Sequence, residues 1–145
     1  QRLFAKDVEA IIKAFEDTWT IPNRQIISSD VTIRDLYESN SAHAFQELWE
    51  GRLKQPPISL ARFGRPVLGG GLRFVMPPIP DEPAPHQLEV KIESFLRDSK
   101  KIFVETQFTW NTPTPPGAPW DAQTRLEEVD HFVEDQVETF IVGGQ

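Results

Sequence analysis

Between Gly51 and Pro80 the chain carries Arg52, Lys54, Arg62, Arg65 and Arg73 and not one Asp or Glu. Backbone N–H groups of the Gly69-Gly70-Gly71 run, backed by the guanidinium groups of Arg62, Arg65 and Arg73, could form an anion-binding nest suited to phosphate or carboxylate. The whole chain has a formal charge of −7, so these five cations leave −12 on everything else. Charge distributed this unevenly fits an anion-facing surface, an internal pairing of basic and acidic faces, or a docking site for an acidic partner. No Gly-Lys-Ser/Thr follows the glycines, and no strand-then-helix setting surrounds them, which argues against nucleotide hydrolysis. The plainer reading is that three glycines permit a bulge or tight turn while the arginines spread over both faces of a sheet.

Other chemistries have less behind them. Glu127, His131, Glu134 and Asp135 lie at i, i+4, i+7 and i+8 and share a helical face. Metal sites in helical proteins draw ligands from two or more helices, and no matching cluster occurs elsewhere in the sequence, so no metal is expected. His43 and His86 stand alone, without a spaced partner. With no cysteine, no Gly-x-Ser-x-Gly elbow and no serine in a Ser/His/Asp setting, nucleophilic catalysis lacks its parts. A pI near 4.9 disfavours nucleic acid. Glu93 and Glu105 are the one carboxylate pair that the expected strand register brings face to face, where a shared site would raise one pKa.

These residues need elements to position them. Val8, Ile11, Ile12, Phe15 and Trp19 recur at helical spacing, predicting a helix from Asp7 to Trp19 with Asp7 as its cap and Ile21-Pro22-Asn23 as its stop. A short extended piece around Gln25 to Ser28 is weakly marked. The segment Val31 to Leu53 reads as helical in two pieces broken at Ser39-Asn40-Ser41, with Ser41 capping the second. From Ile58 to Met76 the pattern is strand-like, two extended pieces joined through the glycines. Pro77 to Pro85 is an acidic polyproline connector.

The strongest local signal is a hairpin from Leu88 to Trp110, whose arms alternate apolar with polar residues. Its apolar rows predict the pairs Leu96 with Ile102, Ile92 with Thr106 and Leu88 with Trp110, closed by a loop of three residues or five. That register also sets Phe95 against Phe103 and Glu93 against Glu105 on the other face. If Phe95 and Phe103 lie away from the helices, they leave an apolar patch for a loop, a ligand or another subunit to cover. A second proline-rich loop, Asn111 to Pro119, leads to a terminal helix from about Asp121 to Val142, stopped by Gly143-Gly144. Its seven acidic residues against Arg125 make that helix strongly negative, a solvated face or a complement to the Arg-rich segment.

A chain of 145 residues buries roughly two-thirds of its unfolded surface and supports a core without staples. The order of elements predicts one α+β domain over 1–145, a small antiparallel sheet of about three to five strands with helices packed on one face. The expected function is a non-catalytic binding or assembly module working through Arg62, Arg65, Arg73, Gly69, Gly70 and Gly71, assisted by Phe95 and Phe103. Its partner would be a protein, a second copy of the chain, or a small anion. The competing expectation is a small-molecule protein or enzyme holding an anionic ligand between sheet and helices. No cofactor and no membrane association are expected, and the cysteine-free composition is compatible with the cytoplasm.

Overall fold

Period-two alternation sets the sheet. The computed structural model describes residues 2–143. Four antiparallel strands, β1 (Ser29–Glu38), β2 (Gly71–Met76), β3 (Gln87–Ser94) and β4 (Lys101–Trp110), lie in the order β1-β4-β3-β2. In β4 every second residue from Ile102 to Trp110 is buried, and in β3 the buried set is Leu88, Val90, Ile92 and Ser94. These rows form the core with Ala44, Leu48, Val129, Val137 and Ile141 from the helices. The architecture is α+β, with helices on one sheet face and the other face uncovered.

The hairpin register departs from the expected pairs by two residues. Ser94 faces Ile102, Ile92 faces Val104, and Leu88 faces Phe108. The loop between the Phe95 and Lys101 bond is 96–100, five residues long. A two-residue slide keeps every side chain on its expected face. It leaves Leu96 exposed at the tip, and it sets Lys91 against Glu105 and Glu93 against Phe103, so the two carboxylates never meet. Opposite charges across a strand pair stabilise where like charges would repel.

Other elements also differ from the sequence reading. Residues 31–38 are strand, not helix: Val31, Ile33, Asp35 and Tyr37 point to the helix-covered side, while Thr32, Arg34, Leu36 and Glu38 face out. β-branched residues at alternate positions fit a pleat better than a helix stripe. The Ile58 to Met76 segment is strand only from Gly71 onward. Before it come a 3-10 turn, Pro57–Phe63, and an irregular stretch.

α1 (Arg2–Thr18) starts ahead of the expected Asp7 cap. It rests mainly on α3 (Ala122–Phe132). Ala5 is therefore buried and Val8 and Ile12 half-buried, while Ile11, Phe15 and Trp19 of the same stripe stay exposed. α2 (Ala44–Gln46) continues as a π-helical stretch, Glu47–Arg52, and is capped by His43 rather than Ser41, with the Phe45 N–H donating to His43 Nδ1 at 3.1 Å. The C-terminal helix runs through α3, a π-helical stretch, Val133–Val137, and α4 (Glu138–Val142). Asp121 caps α3 by accepting from the Thr124 N–H and hydroxyl, which holds its carboxyl below the usual range. Gly144 of the expected stop lies outside the described residues.

Candidate functional site

The five cations of the acid-free segment divide by role. Arg52 is structural: its guanidinium donates to the carbonyls of Phe140 and Ile141 at the end of α4 and lies 3.7 Å from Glu47 Oε1. A cation at a helix C-terminus satisfies carbonyls that have no partner within the helix. Arg73 projects from β2 onto the uncovered sheet face, where its Nη2 donates to Glu89 Oε2 at 2.7 Å. This pairing raises the Arg73 pKa and lowers that of Glu89. Arg62, in the 3-10 turn, and Arg65, after the left-handed Gly64 (φ 65°), are exposed and have no ion-pair partner among the described residues. Lys54, exposed after the π-helical stretch, likewise has no ion-pair partner among the described residues, so the segment's uncommitted charge is carried by Lys54, Arg62 and Arg65.

The glycine triplet is a packing device. The Gly70 N–H donates to Ser94 Oγ at 3.1 Å and the Ser94 N–H returns a bond to the Gly70 carbonyl at 3.0 Å. A Cβ on Gly71 would stand 1.9 Å from the Ile92 carbonyl oxygen, and one on Gly69 2.5 Å from Leu96 Cδ2. Only side-chain-free residues let the chain approach β3 and the hairpin tip so closely. The triplet thus meets the tip, while Arg62 and Arg65 lie on the segment before it.

The uncovered face is laced with ion pairs. Glu105 accepts from Arg34 Nε at 2.6 Å and from Lys91 Nζ at 3.2 Å, and Lys101 pairs with Glu38. Beyond this polar field, Phe95 and Phe103 stack with ring centroids 6.5 Å apart, half-buried, beside exposed Leu36. The expected apolar patch is thus present on the helix-free side.

The feature that sequence reasoning missed is on the other side. Among the described residues, β2 pairs with β3 and with no other strand. A cavity of about 440 Å³ opens between β2 and the C-terminal helix, walled by Phe74, Val90, Ile92, Phe132, Val137 and Phe140. Phe74 and Phe140 meet edge-to-face across it, centroids 5.7 Å apart. A second cavity of about 350 Å³ lies next to the first, with Met76 and Phe132 in the wall of both. Glu82, His86 and Glu128 line this second cavity. Leu72, Phe74 and Met76 did alternate in sequence, but a strand's edge position is a property of the whole sheet.

A smaller polar group lies under the C-terminal helix. Burial, with the charge of Asp130, raises the pKa of Asp35, and burial with Asp35 and Glu138 pushes Tyr37 up to about 12. Among the described residues, no group of three or more His, Asp or Glu side chains is placed to hold a metal ion, and no helix is long and apolar enough to cross a membrane. No family model, curated protein or solved structure matches this chain.

Proposed function

We propose that this chain is a non-catalytic binding module that takes an extended, acidic polypeptide segment along the free edge of β2. The observation that carries the reading is that β2 has a partner strand on one side only, beside an apolar groove. Gly70 and Ser94 form a hydrogen-bonded pair, so the antiparallel alternation directs the backbone groups of Leu72 and Phe74 to β3 and those of Arg73 and Val75 to the open edge. A row of unpaired donors and acceptors is a template for an added strand, and the groove supplies pockets for its alternate side chains.

Charge favours an acidic occupant. Arg62 and Arg65 stand unpaired just upstream of β2, and the stretch from Gly51 to Pro80 has no carboxylate to repel one. Arg73 is neutralised by Glu89 and adds no net charge at the edge. Phe103 lies on β4, two strands in from this edge, and Phe95 stacks on it, so this pair is not assigned to the docked segment. A small anionic ligand fits less well, because the first cavity is walled almost wholly by apolar side chains and the second carries Glu82 and Glu128.

Selection from a random peptide display library tests the reading. Binders should alternate apolar residues and be enriched in Asp and Glu. Val75→Pro removes an edge-facing N–H without touching the β3 ladder, and should abolish binding while the fold persists. Arg62→Ala with Arg65→Ala should weaken binding and flatten its salt dependence. Binders indifferent to Val75→Pro contradict the proposal.

A further inference from the structure

We infer that the cavity beneath the proline-rich 77–86 connector is a binding site for a small organic cation, a primary ammonium or guanidinium carried on an apolar body. The site is separate from the β2 edge and does not depend on a docked strand.

Its polar groups converge on one imidazole. The His86 ring lies nearly flat on Phe108, centroids 4.4 Å apart with 15° between planes, and tilts against Trp110 at 5.4 Å. Its Nδ1 faces three oxygens: the Ala84 carbonyl at 3.1 Å, and Glu82 Oε2 and Glu128 Oε1, each at 3.7 Å. Carbonyl and carboxylate oxygens only accept, so Nδ1 carries a proton directed at them. The site therefore offers acceptors from two elements, the connector and α3, and no Lys or Arg lines it.

The walls complete the fit. Met76, Leu88, Phe108 and Phe132 form an apolar pocket of about 350 Å³, a volume suited to a small ligand's body. Two carboxylates at its rim match the N–H donors of an ammonium or guanidinium. An anion would be repelled by the two carboxylates, and a neutral occupant would gain no ion pair with them. Arg125, the nearest cation along α3, lies over the Trp110 ring at 4.4 Å and is not part of the lining.

Isothermal titration near neutral pH with 2-phenylethylamine, 2-phenylethanol and 3-phenylpropanoate tests this directly. The amine should bind, the alcohol should bind at least about tenfold more weakly, and the carboxylate should give no heat of binding. Glu82→Gln, on the connector, and Glu128→Gln, on the helix, should each weaken the amine about tenfold and leave the alcohol unchanged. Circular dichroism checks that each variant is folded, and the connector variant serves if the helix variant is not. Failure of the amine to bind at millimolar concentration, equal affinity for the alcohol, or amine binding unaffected by both substitutions would overturn the assignment.

Discussion

Arg34 Nε donates to Glu105 Oε2 at 2.6 Å across β1 and β4, and Lys91 reaches the other oxygen of the same carboxylate from β3. One carboxylate thus joins three neighbouring strands on the face that carries no helix. The Arg34 bond, helped by Lys91, holds the Glu105 pKa below its ordinary 4.5. A carboxyl with a lowered folded pKa contributes stability that is present above its unfolded value and lost as pH falls through the folded one. Glu105→Gln should therefore cost about 0.5–1 kcal/mol at neutral pH, limited by solvent screening, and should flatten the acid limb of the stability profile. Urea unfolding across the acid range measures it; identical profiles for the two proteins would contradict the role.

Asp35 titrates in the opposite sense. Burial and the charge of Asp130 raise its pKa, so the folded state holds this proton more tightly than the unfolded chain does. Stability from this group is present at low pH and falls as pH rises through the raised value. Asp35→Asn should raise the neutral-pH Tm by a few degrees and remove that slope. A lower Tm would show that ionised Asp35 stabilises the fold.

Tyr37 is the chain's one tyrosine, which makes its phenol directly readable by ultraviolet titration. Burial beside Asp35 and Glu138 predicts ionisation at about 12 while the chain stays folded. A midpoint near the ordinary 10 with native circular dichroism would contradict the packing of β1 under the C-terminal helix.

Arg52 ties the end of α4 to the helical turn that follows α2, and its guanidinium sits 5.5 Å from the Phe140 ring centroid. Arg52→Ala leaves two terminal carbonyls and the buried Glu47 without this cation. The expected loss is roughly 2–4 kcal/mol, with the C-terminal helix fraying first. Amide exchange along 138–142 reports it; unchanged protection would show that packing alone holds the helix.

Much of this frame can be read from residue order. The β3–β4 hairpin and the C-terminal helix follow from apolar periodicity, because local alternation and burial agree there. Residues 31–38 do not, because Val31, Ile33 and Tyr37 find their partners in β4, about 70 residues away in sequence, and only that pairing selects strand over helix. The register differs for a similar reason: apolar rows fix which face a side chain takes, and a two-residue slide leaves that face unchanged. Among the candidate residues, the exposed charges of Arg62 and Arg65 and the shared sheet face of Phe95 and Phe103 were legible, but the direct pairing of Phe95 with Phe103 was not, since Glu93 faces Phe103. The free edge of β2 and the gathering of Glu82 and Glu128 around His86 were not, since each joins segments that only the fold brings together.

The docking proposal is tested most directly by amide hydrogen exchange on β2, with and without a selected acidic peptide. In the free protein, the Leu72 and Phe74 amides should be protected by β3 and those of Arg73 and Val75 should exchange rapidly. Saturating peptide should slow Arg73 and Val75 selectively, the alternating signature of an added strand. Unchanged exchange at both positions with peptide bound would place the contact elsewhere and contradict the account.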